Sequence, residues 1–456
     1  MQSHHGKALL WVLLYCGAFY ALRVALSSTM ELDEAEQFLL VQGPLRWGYP
    51  REAPLFTWLL WGLSRLFPPG LHLVLALKYG AMAAFLLGVY ALLRLYLPPR
   101  EALWGSAAVL LFPTYSYEFN RHLSNTVLLA ASATWCTWAY LRLLRRPSYG
   151  GAALLGMLLA LGLCSKYNFV FLLAALALAT VASRAGRELL RRHPGKVLLS
   201  LLVALSVLSP HLSWLLGHGA PSVGHALRRA EAGQGQFLQA LGSWASELTL
   251  FVLLGRLLSP SRGKAPEPLG WLLAGGLLSP LLLSLVLQSR LSSKWLAPVF
   301  FLLPLWWFSR RPPSRAVALA ALAVALGVFA LRALVGLAPG LTGKLERIHL
   351  PARALAEELR QRIEPSSLLV IQDGHLRANL MAHWPEAGIV PYEKARVLRA
   401  LREGKRVYLL WPASSAPPAG LPPGKRPVHL RVPYLRSQEL YGVALLELRP
   451  EGGEVR

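Results

Sequence analysis

An acidic cluster follows the first apolar segment of the chain and reads Glu31-Leu32-Asp33-Glu34-Ala35-Glu36-Gln37. On a helix, Asp33, Glu36 and Gln37 share one face, because residues three and four positions apart are neighbours. A carboxylate on such a face can deprotonate an acceptor hydroxyl or bind a divalent cation. The same residues also fit a structural role, since acids favour the first turn of a helix and Asp33 followed by Glu36 resembles a capping box. Spacing alone leaves both roles open.

Four basic residues lie at the ends of apolar segments, where they carry a desolvation cost unless they snorkel to the interface or pair with an anion. They are Arg121, Lys166, Arg290 and Lys294. Cations beside a phosphate bind it and offset the charge that develops as it leaves. We therefore predict that these residues contact a phosphate group, with Arg290 and Lys294 as the main pair, and snorkelling is the alternative. His211 could orient a substrate, and a hydrogen-bonded packing histidine is the alternative there.

Membrane-spanning helices must hold these residues in place. The chain has 456 residues, of which 54% are apolar and 15% charged, and its mean hydropathy of +0.42 is too high for a soluble globular protein. A span needs about 20 consecutive apolar residues. We predict about 11 transmembrane helices, at about 8–27, 72–96, 102–117, 123–144, 150–165, 168–183, 197–217, 236–258, 268–288, 295–309 and 315–338.

Basic residues outnumber acidic ones, with 47 Lys and Arg against 23 Asp and Glu and a net charge of +24. They cluster in short loops that one orientation places on the cytoplasmic side, as the positive-inside rule requires. The excess charge therefore indicates contact with membrane lipids, and we expect no nucleic-acid partner. In this orientation the loop after the first span and the region after Gly340 both face outward.

Two regions outside the predicted spans have structure of their own. In the loop 31–70, the stretches 33–42 and 54–67 mix apolar and polar residues at near-helical spacing, which predicts two interfacial helices. After Gly340 the composition becomes charged, with helical patterns at 352–363 and 394–402 and strand patterns at 368–372, 406–411 and 443–448. We expect a transmembrane domain over residues 1–339 and a small extracytoplasmic α/β domain over residues 340–456.

A family resemblance joins several of these motifs. The acidic pair Asp33-Glu34 is followed by the stretch WGYPREAPLFTW at 47–58, in which Glu52 precedes Pro54-Leu55 and an aromatic residue. This pattern resembles the bacterial family 39 glycosyltransferases, which are similar to protein O-mannosyltransferases and to the aminoarabinose transferase of lipid A. The resemblance covers about residues 10–310 and extends through the segments 121–128, 163–168, 210–214 and 294–298.

The resemblance implies a GT-C fold, an active site on the outer face of the cytoplasmic membrane, and sugar transfer from a polyprenyl-phosphate donor with inversion at the anomeric carbon. It places Asp33 and Glu34 at the catalytic centre, with Asp33 as the base, and it matches Glu52 to the second motif. We expect Glu52 to contact the substrate, together with Gln37 on the face of Asp33 and with His211. The leaving group is polyprenyl phosphate, so no nucleotide cofactor is expected. A divalent cation stays an open alternative, with no ligands identified.

Two other classes of function also fit parts of the sequence. A transporter or lipid flippase also has intramembrane charges and broken helices, although no inverted repeat is evident. A noncatalytic scaffold would use the outer α/β domain to bind a cell-envelope partner. The sequence leaves the sugar open, and it leaves open whether the acceptor is a glycan, a lipid or a protein.

Overall fold

The computed structural model describes residues 2–122, 124–231, 237–258, 264–287, 292–418 and 426–450. Over these residues the chain is mostly α-helical and has one β-sheet near its C-terminus. The helices are α1 (Gln2–Leu26), α2 (Leu32–Val41), α3 (Leu55–Leu63), α4 (Leu71–Leu93), α5 (Pro99–Ala107), α6 (Phe119–Arg121), α7 (Ser124–Arg145), α8 (Tyr149–Ser165), α9 (Val170–Ala182), α10 (Arg184–Arg192), α11 (Pro194–Gly217), α12 (Pro221–Glu231), α13 (Phe237–Leu258), α14 (Glu267–Val286), α15 (Leu302–Phe308), α16 (Arg315–Leu337), α17 (Pro339–Thr342), α18 (Ala352–Arg362), α19 (Gly374–His383) and α20 (Lys394–Arg402). The strands are β1 (Leu368–Ile371), β2 (Gly388–Val390), β3 (Val407–Pro412), β4 (Val428–Pro433) and β5 (Leu440–Leu448).

Seven of the described helices are long and apolar enough to cross a membrane, judged by length and composition. These spans are His5–Leu26, Leu71–Leu93, Ser124–Arg145, Pro194–Gly217, Phe237–Leu257, Glu267–Val286 and Arg315–Leu337. The pair Tyr167–Ala182 and Arg184–Arg192 is bent by 81° and counts as an eighth span if taken together. The seven long helices and Tyr167–Ala182 lie where the apolar pattern predicts a span, whereas Arg184–Arg192 lies in a stretch that the pattern predicts to be a basic loop.

The other three predicted spans take a shorter or broken form. Segment 102–117 contains α5, a 3-10 turn at Ala108–Leu111 and a π-helical turn at Thr114–Glu118 that begins after Pro113. Segment 295–309 contains a 3-10 turn and only the 7 residues of α15. Proline interrupts both segments because it lacks an N–H for the helical ladder. The third, α8, has 17 residues, fewer than the roughly 20 that a straight span needs.

Residues Met1–Tyr20, Pro44–Leu63 and Ala76–Phe329 form one compact unit. Within this first unit, α8 packs against α7 and α11, and α9 packs against α14. The last pair approaches closely at a glycine, since a Cβ added to Gly275 would lie 2.7 Å from the Cα of Ala175. Small residues at such crossings are typical of helices that associate in membranes.

Residues Ala21–Gly43, Ser64–Leu75 and Ala330–Arg456 form a second compact unit. Its sheet has the order β2-β1-β3-β5-β4, in which β1 pairs in parallel with β2 and β3, and β5 pairs antiparallel with β3 and β4. Apolar residues of α18 and α19 bury one face of the sheet and residues of α20 bury the other. In the same unit, α2 packs against α19.

Candidate active site

A cavity of about 470 Å³ lies within the first unit, where the junction of α8 and α9 meets α12, α14 and two loops. Its polar lining consists of Arg51, Glu52, Lys166, Tyr167, Asn168, His225, Ser292 and Lys294. Its apolar lining consists of Ala53, Val170, Phe171, Val223, Leu227, Leu283, Leu287 and Trp295. The cavity is therefore amphipathic, and three cationic side chains face it with one carboxylate.

Lys166 reaches the cavity because the helix breaks there. α8 ends at Ser165, the backbone of Lys166 is extended, and a 3-10 turn at Tyr167–Phe169 leads into α9. The Lys166 Nζ donates a hydrogen bond to the Thr126 hydroxyl over 2.9 Å. Because that hydroxyl is neutral, the bond orients the ammonium group without compensating its charge.

Lys294 also lines the cavity and is held by two side chains. Its Nζ is 3.1 Å from a carboxylate oxygen of Glu118 and 3.1 Å from the Nε2 of His122. The His122 Nδ1 is in turn 3.4 Å from the same Glu118 oxygen. The Lys294 side chain keeps 37% of its surface exposed, so its ammonium group can reach a further anion.

The structure brings together only part of the predicted phosphate-binding set. Lys166 and Lys294 both line the cavity. Arg290 lies outside the residues that the structure describes. Arg121, the last residue of α6, is half-buried and is not among the described residues that line the cavity. Arg51 does line it, although the sequence pattern did not single this residue out.

Glu52, the only carboxylate among the described lining residues, accepts a hydrogen bond from the Asn125 amide over 3.1 Å. An amide donor at this position binds one carboxylate oxygen without neutralising its charge. Across residues 2–122, 124–231, 237–258, 264–287, 292–418 and 426–450, no group of three His, Cys, Asp or Glu side chains could hold a metal ion. The divalent cation considered from the sequence therefore has no ligand cluster in the described part of the chain.

His211 is 1% exposed and contacts the cavity only through a neighbour. Its Nδ1 lies 2.8 Å from the carbonyl oxygen of Trp47. A carbonyl oxygen can only accept, so Nδ1 is protonated and donates a hydrogen bond to it. Its Nε2 is then the acceptor for the Tyr167 hydroxyl over 3.2 Å, and the same hydroxyl lies 2.6 Å from the hydroxyl of Ser222. His211 thus orients Tyr167, which lines the cavity, and fixes the loop that carries Glu52.

The loop beside His211 also depends on a glycine. A Cβ added to Gly48 would lie 2.1 Å from the indole ring of Trp214, a separation that real atoms do not adopt. The absence of a side chain therefore lets the loop lie directly on α11. Substitution at this position would displace the residues that follow, including Arg51 and Glu52.

The acidic cluster belongs to the second unit, where α2 begins. Asp33 is half-buried, whereas Glu34 is completely buried and forms an ion pair with Arg23 over 2.7 Å. The same Glu34 oxygen accepts the backbone N–H of Glu31 over 2.8 Å, as in a capping box. Gln37 is 1% exposed within the packed face of α2. Of the predicted catalytic pair, only Asp33 keeps part of its surface exposed.

Glu31 precedes α2 and is also buried, with 6% of its surface exposed. Burial raises the pKa of its carboxyl group from the ordinary value of 4.5 to about 7, and the nearby Glu34 carboxylate raises it further than the Arg23 guanidinium lowers it. Arg23 also donates to the carbonyl oxygens of Ser27 and Thr29. In the sequence, Arg23 lies near the end of an apolar span, where an arginine usually has a partner. This position is the sequence signal that indicates the ion pair with Glu34.

Comparisons with known proteins address what this arrangement does. The family model described as dolichyl-phosphate-mannose-protein mannosyltransferase matches residues 51–214. The chain is 26% identical to the lipopolysaccharide core galacturonosyltransferase RgtB of Rhizobium johnstonii, over 93% of this chain and 91% of the relative. It is 25% identical to RgtA of the same organism, over 86% of this chain and 83% of the relative. The protein is a glycosyltransferase.

Solved structures show the fold of this glycosyltransferase. ArnT from Cupriavidus metallidurans bound to undecaprenyl phosphate matches with a TM-score of 0.65 at 13% identity, covering 96% of this chain and 98% of ArnT. The apo form of ArnT matches with a TM-score of 0.59 at 13% identity, covering 99% of both chains. The predicted resemblance to the GT-C glycosyltransferases is confirmed, and the enzyme is a multi-pass membrane protein.

Proposed function

We propose that this glycosyltransferase moves a sugar from a polyprenyl-phosphate donor to an acceptor on the outer face of the cytoplasmic membrane. The amphipathic cavity carries the proposal, because Lys166 and Lys294 line it together with Phe171, Leu283 and Leu287. A polyprenyl phosphate has the matching parts, an anionic headgroup and a long apolar chain. ArnT, which has the same fold, was solved with undecaprenyl phosphate bound, and this supports the choice of donor.

The proposed reaction is a single displacement at the anomeric carbon. The acceptor hydroxyl oxygen forms the new bond to that carbon while the bond from carbon to the phosphate oxygen breaks. The electron pair leaves with the phosphate, and the configuration at the anomeric carbon inverts. Lys166 and Lys294 stabilise the additional negative charge that develops on the phosphate as the bond breaks. The hydroxyl proton passes to a base.

For that base we propose Asp33. A general base must exchange its proton with the acceptor, so a completely buried carboxylate is a poor candidate. Asp33 is half-buried and its neighbour Glu34 is buried against Arg23. Glu34 therefore serves as the residue that anchors the start of α2, and Gln37 and His211 act indirectly through packing and hydrogen bonds.

The transferred sugar is proposed to be a uronic acid. Arg51, Lys166 and Lys294 all line the cavity, while a polyprenyl-phosphate ester linkage carries only about one negative charge. Because Lys166 and Lys294 are assigned to the phosphate, a sugar carboxylate would use Arg51, and an arginine suits a carboxylate because its planar guanidinium forms paired hydrogen bonds. Both curated relatives are named as galacturonosyltransferases of the lipopolysaccharide core, which supports this sugar class and a carbohydrate acceptor.

Transfer by purified enzyme in liposomes tests the proposal. The wild type should transfer radiolabelled galacturonate from its polyprenyl-phosphate ester to a lipopolysaccharide core acceptor. Lys166→Gln should weaken donor binding by roughly tenfold to a hundredfold, since a hydrogen bond to a charged group contributes about 1.5–3 kcal/mol. The matched control is Lys196→Gln, because Lys196 lies over the Tyr149 ring and away from the cavity lining. Equal donor affinity in both variants would remove Lys166 from the donor site.

A further inference from the structure

The segment that leads into α2 is fixed to the C-terminal part of its own unit. The Ser27 hydroxyl donates to the carbonyl oxygen of Ile348 over 2.6 Å, and the Thr29 hydroxyl donates to that of Leu350 over 2.9 Å. These bonds join residues more than 300 positions apart in sequence. The start of the acidic cluster therefore depends on the folded α/β region.

α19 makes a further attachment to this segment, at Met30, and it has the most hydrogen bonds of the three. The backbone N–H of Met30 donates to the Asn379 amide oxygen over 2.7 Å, and the Asn379 amide nitrogen is 3.3 Å from the Met30 carbonyl oxygen. The Nε2 of His375, one turn earlier in α19, lies 2.7 Å from the same carbonyl oxygen. Asn379 and Met30 are both 0% exposed.

An amide that binds both the N–H and the carbonyl of one residue restricts the orientation of that backbone in a way that apolar packing does not. In a buried site each of these groups must keep its partner, since an unsatisfied polar group is costly there. Met30 is three residues before Asp33 and two before the first residue of α2. Any shift of Met30 is therefore passed directly to the first turn of the helix that carries Asp33.

We propose, resting on the proposed role of Asp33 as the base, that Asn379 is a positioning residue for Asp33. The α/β region thereby acts as the support of the catalytic loop, in addition to any contact it makes with an acceptor. Displacement of a reacting group by about 1 Å can lower a rate by about 100-fold. The effect belongs in kcat, because Asn379 would act through Asp33, whose proposed role is proton transfer from the acceptor and not donor binding.

Asn379→Leu tests this role, because leucine has a similar volume and can form neither hydrogen bond to Met30. We expect kcat for transfer to fall by about tenfold to a hundredfold, with the dissociation constant for polyprenyl phosphate unchanged within twofold. Hydrogen exchange at the Met30 amide should become at least tenfold faster. The matched control is Leu446→Ala, which opens a cavity on the other face of the sheet and should leave kcat and Met30 exchange unchanged.

A second variant decides the matter if Asn379→Leu fails to fold. His375→Phe keeps a ring at a half-buried position and removes the donor to the Met30 carbonyl, so kcat should fall several-fold. If the Asn379→Leu enzyme folds and has the wild-type kcat, the positioning role is overturned. If that variant does not fold, a wild-type kcat in His375→Phe overturns it instead. Either result holds even if Asp33→Asn is inactive. A wild-type enzyme without transfer, or a fully active Asp33→Asn variant, would remove the proposed function and the positioning role together.

Discussion

The guanidinium of Arg23 and the carboxylate of Glu34 form an ion pair over 2.7 Å, with 2% and 0% of their side chains exposed. Arg23 belongs to the last turn of α1 and Glu34 to the first turn of α2. The pair therefore joins the first membrane helix to the helix that carries Asp33. A buried charge that loses its partner is strongly destabilising, so this contact fixes where the acidic cluster begins.

Glu34→Gln should destabilise the protein by about 3–5 kcal/mol, because Arg23 would stay buried without a compensating charge. Thermal unfolding in detergent, followed by tryptophan fluorescence, measures this as a lower melting temperature. The control is Glu357→Gln, which breaks the ion pair of Arg353 and Glu357, whose side chains are 80% and 56% exposed. That change should cost no more than about 1 kcal/mol. Equal and small effects of the two variants would contradict the assigned role of Glu34.

Stability should fall as the pH rises from about 4.5 to 7. The pKa of Glu31 is raised from 4.5 to about 7 in the folded protein, so between these values the folded state holds a proton that the unfolded state has lost. Stability is then highest below the unfolded pKa and decreases up to the folded pKa, by about 3 kcal/mol in total. Above pH 7 this group contributes no further change.

Glu31→Gln checks this assignment, because a neutral amide resembles the protonated carboxyl group. The difference in unfolding free energy between variant and wild type should move in favour of the variant as pH rises across that window. A difference that stays constant from pH 4.5 to 7 would mean that Glu31 does not titrate there.

Arg51→Gln should affect uronic-acid donors selectively. Loss of a charge-assisted contact at an exposed position should reduce kcat/KM for polyprenyl-phosphate galacturonate by about tenfold. Polyprenyl-phosphate galactose, whose sugar has no carboxylate, should lose little. A competition assay with both donors measures the ratio directly. An equal loss for the two donors would assign Arg51 to the phosphate, and no loss for either would remove it from the donor site.

Local sequence patterns predict the elements of this fold well where they are long or strongly periodic. The seven long apolar helices lie at predicted spans. α2 begins one residue before the predicted stretch 33–42, and α3 lies within the stretch 54–67. β1, β3 and β5 lie at the predicted strands, whereas β2 has only 3 residues and β4 is mostly exposed. Neither of these two strands has the apolar run that marks a buried strand.

The candidate site was harder to predict because it depends on contacts between distant residues. The motifs identified Glu52, Lys166 and Lys294, which the fold places around one cavity. Nothing local in the sequence shows that His211 donates to the Trp47 carbonyl, that Arg23 pairs with Glu34, or that Asn379 holds Met30. These partners are separated by 11 to 349 positions, so only the tertiary fold shows them.

The rate of sugar transfer by Asp33→Asn tests the proposed role of Asp33 as the base most directly. Asparagine keeps the size of the side chain and removes its basicity, so folding should survive. General-base catalysis contributes about 100-fold to 10,000-fold. In liposomes with a polyprenyl-phosphate galacturonate donor, we expect transfer by the variant to fall at least 100-fold. Donor binding should stay near that of the wild type. Transfer by Asp33→Asn at close to the wild-type rate would contradict this role of Asp33.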